Sequence, residues 1–512
     1  MMKKQLCAAL ALCILLAIPY HGGWGEEGED YSVDLDGFAK GVVNARAAVH
    51  DPSIIAVDGV YYIFGSHMAA ARSDNLRNWT RFANGYQPTN AVWGNLFEEG
   101  LHVFDYAGGK NSLIPTDDGS THVWAPDVIY NPVMGKYMMY YCTSSTWNTS
   151  NLCFAVSDTV EGPYQWQGAL IYSGFDKKTL SATDVLDTVD EAYVKKHYFT
   201  LAGTYKYKDW PNAIDPALFF DRDGRLWMVY GSWSGGIFLL EIDPATGLVI
   251  HPQADENNQV DPYFGKKLMG GGHKSMEGPY IQYDPDSGYY YLFVSYGGLN
   301  TTGGYQIRVF RSQSPDGEYE DMEGRRPDGV GNHAAYGLKL SGNYNLPSLR
   351  RAYMATGHNS AFFDGDGKKY ICYHTRFNDG TETHQPMVKQ YFLNAEGWPC
   401  MLPYAAWGET ISLKGYSPEE TAGRYYVVNQ GTDISARIAE PFILYLRADG
   451  TVSGENVSGV WQAEEGRYFM GVTIGEKEFS GVFCRMKDDA GTDVMAFSAV
   501  GGNESLWGVK YD

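Results

Sequence analysis

The sequence predicts an all-β protein, a five-bladed β-propeller followed by a small all-β C-terminal domain that is either a barrel or a sandwich. The first observation is a series of aromatic and β-branched runs, each introduced by a glycine-containing turn, as in β-hairpins. These runs are residues 60–64, 136–141, 226–230, 289–294 and 369–373. The second is composition, because 60 glycines, 39 tyrosines and 13 tryptophans suit many short strands joined by tight turns.

A polar residue stands before the first strand of each hairpin unit. Asp51, Asp127, Asp215, Glu277 and His358 hold these positions, at separations of 76, 88, 62 and 81 residues. Repeated antiparallel sheets of this kind close radially into a propeller, whose first strands line a central channel. A sandwich of many hairpins is the alternative, but it does not explain why acids and a histidine recur at similar positions.

Residues 1–25 are predicted to be a secretory signal peptide. Lys3 and Lys4 precede an apolar stretch, residues 6–18, which is short for a bilayer span. We therefore expect a secreted, extracellular protein that has no membrane span after signal removal. A retained N-terminal anchor helix is the alternative.

Charge and cysteine content argue against several functional classes. A net charge of −21 disfavours nucleic acid as a partner, since little in the chain would neutralise phosphates. No phosphate-cradling glycine loop precedes a helix, so we expect no organic cofactor. The cysteines beyond the signal peptide lack zinc-ligand spacing. We expect buried free thiols, with a disulfide between Cys142 and Cys153 as the alternative.

The propeller is predicted over residues 35–402 and the C-terminal domain over residues 403–512. The second boundary is placed where composition shifts and a new set of strands begins, at 424–429, 441–447, 467–474, 478–486 and 494–500. We expect the C-terminal domain to be a scaffold, and contact with carbohydrate is the alternative. Two long insertions, residues 92–121 and 175–210, interrupt the repeat, and loops of this length often shape a binding cleft.

Three of the repeated acids suit cleavage of a glycosidic bond. Inverting hydrolysis needs a carboxylate base and a carboxylic acid roughly 6.5–9.5 Å apart. Asp51 suits the base, and Glu277 suits the acid because its longer side chain reaches the glycosidic oxygen. Asp215 would orient Glu277 and supply a negative charge that keeps it protonated.

The motifs around these acids resemble glycoside hydrolase family 43, and within it the endo-1,5-α-L-arabinanases. The matching segments are residues 49–53, 123–128, 211–216, 231–236, 277–279, 357–360 and 373–377, in chain order. The C-terminal strands resemble the accessory β-domain of the larger, two-domain arabinanases. The resemblance implies a five-bladed propeller and endo-acting, inverting hydrolysis of α-1,5-L-arabinofuranosidic linkages in arabinan, a side chain of pectin.

The resemblance also implies roles for individual residues. Asp51 corresponds to the general base, Glu277 to the general acid and Asp215 to the acid that modulates its pKa. His358 corresponds to the histidine that holds a calcium ion together with waters; a histidine hydrogen-bonded in the core is the alternative. The implied substrate contacts are Asp51, Asn148, Asn212, Ala213, Ile214, Asp215, Ser232, Trp233 and Ser234. Trp124, Trp147 and Trp233 are candidate platforms for sugar rings.

Other functions remain open at this point. An exo-acting α-L-arabinofuranosidase or β-xylosidase of the same family would need a blocked pocket rather than an open groove. A non-catalytic carbohydrate-binding propeller would gain nothing from three converging acids. A retaining fructan-processing propeller would place its carboxylates roughly 5–5.5 Å apart. The expected partner is arabinan or its oligosaccharides, and we expect a monomer.

Overall fold

The computed structural model describes residues 29–87, 89–92, 94 and 103–511. The predicted signal peptide lies outside the described residues, as does most of the segment 93–102 within the first insertion. Five antiparallel sheets are followed by a closed eight-stranded barrel, so the predicted fold class is confirmed in its barrel form. Among the described residues, no helix has the length and apolar character needed to cross a bilayer.

Each of the first two blades is a four-stranded meander. Blade 1 contains β1 (Ser53–Val57), β2 (Val60–Gly65), β3 (Ala69–Ser73) and β4 (Thr80–Ala83). Blade 2 contains β5 (Val123–Asn131), β6 (Lys136–Ser144), β7 (Ser150–Ser157) and β8 (Gln165–Ser173).

Blade 3 is larger, with strand order β13-β14-β11-β10-β9 and β12 paired to β11. Its strands are β9 (Ala217–Phe220), β10 (Leu226–Tyr230), β11 (Ile237–Ile242), β12 (Val249–Ile250), β13 (Val260–Asp261) and β14 (Gly265–Met269). Short helical segments lie in the insertion that precedes it: Leu180–Ala182, α1 (Val185–Thr188), α2 (Glu191–Tyr193) and Val194–Tyr198.

Blades 4 and 5 return to four-stranded meanders. Blade 4 contains β15 (Met276–Asp284), β16 (Tyr289–Tyr296), β17 (Gln306–Ser312) and β18 (Leu338–Ser341). Blade 5 contains β19 (Tyr353–Phe363), β20 (Lys369–Phe377), β21 (Gln385–Leu393) and β22 (Pro399–Met401).

The barrel follows a short helix, α3 (Pro418–Thr421), which opens with a capping box between Ser417 and Glu420. Its strands pair in chain order and close between the first and the last. They are β23 (Gly423–Asn429), β24 (Phe442–Leu446), β25 (Thr451–Gly454), β26 (Val457–Ala463), β27 (Phe469–Ile474), β28 (Lys477–Lys487), β29 (Asp493–Gly501) and β30 (Glu504–Lys510).

A left-handed residue recurs just before or within the first strand of every blade. These residues are Asp51, Ala125, Asp215, Gly278 and His358, with φ between 40 and 57°. Proline follows the first four, which fixes the chain direction into the strand. The repeat is therefore real, but two predicted positions are displaced. Asp127 lies two residues after the equivalent Ala125, and Glu277 lies one residue before Gly278, next to bulges in β5 and β15.

Asp127 consequently joins blades instead of facing the groove. It is buried, and its carboxylate accepts hydrogen bonds from Ser53 Oγ of blade 1 (2.6 Å) and from the Leu218 amide of blade 3 (2.7 Å). Burial raises the pKa of Asp127 to about 6. The five cysteines of the described residues are free and buried, so the alternative of a Cys142–Cys153 disulfide is wrong.

The barrel packs against blades 4 and 5 through a shared apolar core that includes Leu340, Tyr344 and Trp507. Polar contacts reinforce it. The fully buried Arg308 guanidinium donates to the Thr432 carbonyl at 2.5 Å, and the Lys389 ammonium lies 4.0 Å above the Trp507 ring. A junction that buries this many groups holds the barrel firmly on the propeller.

Candidate active site

A groove crosses the propeller at the mouth of the central channel. Asp51, Asp215 and Glu277 all line one cavity of about 400 Å³ within it. A second cavity, of about 590 Å³, adjoins the first and shares His122, Trp124, Ile214 and Glu277 with it. The three acids, far apart in sequence, therefore meet at one place because the first strands of blades 1, 3 and 4 converge on the channel.

Asp51 is surrounded by hydrogen-bonding partners. Its Oδ2 accepts from Ser66 Oγ at 2.5 Å and lies 2.7 Å from Nδ1 of His50. Its Oδ1 lies 3.1 Å from Nδ1 of His358 and 3.5 Å from Nδ1 of His374. Burial works to raise the pKa of Asp51, but His358 and His50 outweigh it and hold this pKa well below its usual range. Asp51 is thus an ionised carboxylate, as a general base must be.

His374 is arranged as a neutral imidazole. The Asp51 backbone amide donates to its Nδ1 at 3.3 Å, so that nitrogen carries a lone pair. Burial, with the neighbouring His50, lowers the pKa of His374 well below its usual value. The His50 ring stacks on it with centroids 3.9 Å apart, which fixes the orientation of His50 toward Asp51.

Glu277 is held by the loop that follows β10. Its Oε2 accepts from Nε1 of Trp233 at 2.8 Å and from Oγ of Ser232 at 3.2 Å. The Trp233 amide donates to the Met276 carbonyl at 2.7 Å, which ties this loop to β15. The buried hydroxyl of Tyr305 also lies beside the carboxylate, without a well-formed hydrogen bond to any residue that the structure describes.

Asp215 controls the backbone next to Glu277. Its Oδ2 accepts from the Gly278 amide at 3.1 Å, so its carboxylate fixes the direction in which the Glu277 side chain leaves the strand. Burial and the charges of Glu277 and Asp51 raise the pKa of Asp215 well above its usual range.

The Asp215–Glu277 pair retains a proton. Burial raises the pKa of Glu277 and the charge of Asp51 raises it further, although the neighbouring polar groups of Tyr305, Trp233 and Ser232 act in the opposite direction. Ionising all three of these buried, neighbouring carboxylates would cost free energy, because like charges repel and burial disfavours the charged form. The site therefore combines one ionised carboxylate, Asp51, with a protonated acid pair, which is the combination that inverting glycoside hydrolysis requires.

His358 lies between the groove and the channel below it. Its amide donates to Ser295 Oγ at 2.7 Å, and Gly278 packs on its ring so closely that a Cβ there would lie 3.0 Å from the imidazole. Burial lowers the pKa of His358 despite the nearby Asp51. The channel cavity beneath, about 20 Å³, is lined by His358, Asn359 and the carboxylates Asp51, Asp127 and Asp215 among others.

The residues predicted to contact substrate, other than the acids Asp51 and Asp215, fall into three groups. Asn212, Ile214, Ser232 and Trp233 line the 590 Å³ cavity. Ala213 and Ser234 lie beneath it with fully buried side chains, so their side chains do not reach the groove surface. Asn148 lines a third cavity, of about 690 Å³, farther from the acids.

The Asn212 side chain also holds a neighbouring loop in place. Its amide nitrogen donates to the Trp147 carbonyl at 2.9 Å, and its amide oxygen accepts from Ser150 Oγ at 2.8 Å. Both ends of the side chain therefore hold the Trp147 loop in place at the edge of the groove.

Sequence reasoning missed several residues around the acids. Ser66, His384 and Tyr305 belong to no recognisable short motif, and each follows a strand or turn whose position only the blade geometry reveals. The signal that could have found them is the repeat itself, since Ser66 follows the second strand of blade 1 and Tyr305 precedes the third strand of blade 4.

Comparison with known proteins identifies the family of this chain. A family model described as glycosyl hydrolases family 43 matches residues 191–399, and one described as a C-terminal lipocalin-like domain matches residues 403–508. The extracellular endo-alpha-(1->5)-L-arabinanase 2 of Bacillus subtilis is 38% identical over 491 residues, covering 92% of this chain and 95% of that protein. The chain belongs to glycosyl hydrolase family 43. The family predicted from the motifs is thereby confirmed.

Other similar proteins support this assignment. The extracellular endo-alpha-(1->5)-L-arabinanase of Thermotoga petrophila is 37% identical, covering 91% of this chain and 94% of that protein. A crystal structure of an endo-1,5-alpha-L-arabinanase from that organism superposes with a TM-score of 0.78, covering 91% of this chain and 99% of that chain at 37% identity. A family 43 glycoside hydrolase from Bacillus licheniformis superposes equally well, at TM-score 0.78 and 37% identity, covering 93% of this chain and 99% of that chain.

Proposed function

We propose that this protein is an endo-acting, inverting hydrolase of α-1,5-linked L-arabinan. The observation that carries the proposal is the position of Glu277, which is shared by two adjoining cavities of the groove. A polymer can therefore extend to both sides of the acid, as internal cleavage requires. Relatives that match nearly the whole chain are named extracellular endo-arabinanases, which supports arabinan over other glycans.

Asp51 is the general base in this proposal. It takes a proton from a water molecule while the water oxygen attacks the anomeric carbon from the face opposite the leaving group. The low pKa of Asp51 keeps it ionised, and Ser66 and His50 hold its Oδ2 in position. One attack from the opposite face inverts the anomeric configuration.

Glu277 is the general acid. It gives its proton to the glycosidic oxygen as the bond from that oxygen to the anomeric carbon breaks, so the leaving sugar departs as a neutral alcohol. Asp215 holds the Gly278 amide and shares the buried charge, which keeps a proton on the pair until the substrate takes it. Trp233 and Ser232 then stabilise the Glu277 carboxylate that remains.

We also propose that the channel holds one calcium ion, bound by His358 and completed by waters. The residues fit such an ion, since calcium prefers oxygen ligands and the cavity is lined by carboxylates. Both polar atoms of the buried Asn359 amide lack a hydrogen-bond partner among the described residues, so this amide is available to a hydrated ion. A cation there would supply positive charge beneath Asp51.

We also propose that the protein is exported and that it is a monomer. Relatives covering more than nine-tenths of the chain are named extracellular, and arabinan is a polymer that an enzyme meets outside the cell. Mass spectrometry of the secreted protein would show whether the first 25 residues have been removed, and light scattering would give its mass in solution.

The first test is a time course on linear α-1,5-arabinan with products separated by size. A rapid fall in chain length through a ladder of oligosaccharides is expected. Arabinose as the product from the earliest times would indicate an exo-acting enzyme instead. No cleavage would indicate that the protein acts on a different glycan or only binds carbohydrate. Product configuration, followed by NMR during the reaction, should show inversion.

The metal is tested separately by elemental analysis of the purified protein and of His358→Ala, with His197→Ala as the control. His197 lies in the second insertion, stacked on Tyr193. The wild type and the control should each carry one calcium per chain, and His358→Ala should carry less. Equal calcium in all three proteins would show that the metal lies elsewhere.

A further inference from the structure

Four aromatic side chains form a row that begins at the acid and leads away from it. Trp233 donates to Glu277, and its ring centroid lies 5.5 Å from that of His273. His273 lies 4.8 Å from Trp147 and 5.4 Å from Tyr207, and Trp147 lies 4.6 Å from Tyr207. Trp147 is 55% exposed, which is unusual for a tryptophan that is part of an aromatic cluster.

The far end of this row borders the third cavity, which has a volume of about 690 Å³. The second insertion supplies most of its lining, and Asn148, next to Trp147 in the chain, supplies part of the opposite wall. Among the lining residues are Asp176, Thr200, Thr204, Lys206, Tyr207 and Asp209. Hydroxyls and an aromatic ring dominate, and lysines and aspartates are both present, so the cavity favours a neutral, hydroxyl-rich ligand.

The insertion is fixed rigidly to the catalytic loops. The Gly235 amide donates to the Trp210 carbonyl at 2.8 Å, and the Gly272 amide donates to the Lys208 carbonyl at 2.9 Å. A Cβ on Gly235 would lie 2.4 Å from the Trp210 backbone, so this close approach requires glycine. The cavity wall and the Trp233 loop therefore keep a constant relative position.

We propose that the second insertion builds a distal sugar-binding site, which holds arabinan residues beyond those at the cleavage point. Tyr207 and Trp147 provide the apolar surfaces for the furanose rings, and the threonine hydroxyls and Asn148 provide hydrogen bonds. The site gives the enzyme a preference for long chains over short oligosaccharides. This inference rests on the proposed arabinanase function.

The test compares kcat/KM for linear arabinan with kcat/KM for arabinotriose, in the wild type and in Tyr207→Ala. Loss of one aromatic contact should lower the long-to-short ratio of kcat/KM by about 5-fold, which corresponds to about 1 kcal/mol. Thr204→Trp, which places an indole in the same cavity, should lower the ratio in the same direction by obstructing the site.

Tyr130→Ala is the matched control, since Tyr130 is an exposed tyrosine on β5, away from the groove, and its loss should leave the ratio unchanged. An equal loss on arabinotriose and arabinan in Tyr207→Ala would overturn the proposal, because it would indicate a structural effect. An unchanged ratio in both cavity variants would overturn it as well.

The proposed function fails in a different way. A wild type that does not cleave arabinan would refute the function itself, whereas a wild type that cleaves arabinan and arabinotriose with equal kcat/KM would refute only the distal site.

Discussion

The centre of the propeller is lined by carboxylates, a histidine and an asparagine, whereas the centre of the barrel is filled by apolar side chains. In the propeller, Asp51, Asp215 and His358 also adopt left-handed backbone conformations, which cost stability outside glycine. In the barrel, Phe483, Phe497 and Leu506 are at least 99% buried among other apolar groups. Left-handed strain and buried carboxylates therefore occur together at the centre of the propeller, where the three acids meet, while the centre of the barrel contributes ordinary packing stability.

The largest expected effect is at Glu277. Glu277→Gln should lower kcat on linear arabinan by about 100- to 10,000-fold, because the variant cannot donate the proton. Its free energy of unfolding, measured in urea, should be equal to or above that of the wild type, since a buried carboxylate beside Asp215 is removed. Glu478→Gln, an exposed glutamate on β28, is the control. A Glu277→Gln enzyme with wild-type turnover would remove Glu277 as the acid.

In the barrel, we expect a core substitution to lower stability and to leave activity largely intact. Phe497→Ala should lower the free energy of unfolding by about 3–5 kcal/mol through the cavity it leaves. The protein that remains folded should keep most of its specific activity, because the barrel interior lies apart from the groove. Val460→Ala changes a residue that is 58% exposed and should cost far less. If Phe497→Ala lost activity at temperatures where it is fully folded, the barrel interior would influence the catalytic groove, contrary to this expectation.

One contact between the barrel and the propeller lies next to Tyr305, and Gly304→Ala probes it. A Cβ on Gly304 would lie 2.7 Å from the carbonyl carbon of Ser435, in a barrel loop, and its φ is +70°. We expect a loss of about 1–3 kcal/mol in the free energy of unfolding. A loss of activity should accompany it, because the next residue, Tyr305, lies beside Glu277.

Gly365→Ala is the control for this substitution, since a Cβ there meets nothing within 4 Å. Destabilisation of Gly304→Ala with unchanged kcat and an unchanged pH profile would mean that the barrel does not influence the position of Tyr305.

The smallest effect is expected for Tyr305→Phe. The Tyr305 hydroxyl, which lies beside the Glu277 carboxylate, lowers the pKa of Glu277, so its removal raises that pKa further. Activity needs the acid protonated and is lost as pH rises through the pKa of the pair, so the alkaline limb of the pH–rate profile should move to higher pH. The acid limb, set by Asp51, should stay in place, and kcat should fall by less than about 10-fold. An alkaline limb that moves to lower pH would contradict this assignment.

Much of the fold could be predicted from the sequence, because hairpin signals are local. Asp58-Gly59, Asp223-Gly224 and Asp366-Gly367 mark turns that the structure contains between paired strands. Motif resemblance also identified the family and the three acids that meet at the channel. It could not separate Ala213 and Ser234, which are buried beneath the groove, from Ser232 and Trp233, which line it, since one motif spans both environments.

By itself, the sequence determined the strand pattern, the repeat and the chemical types available at each blade entrance. These follow from short-range physics: turn residues, alternating apolar positions and proline after the left-handed residue. Only the tertiary structure decided that Asp127 joins blades while Asp51 faces four hydrogen-bonding neighbours. It also placed Tyr305 beside Glu277 and the second insertion at the end of an aromatic row. A bulge of one or two residues shifts which side chain reaches the channel, and burial then sets its pKa, so both depend on contacts between distant parts of the chain.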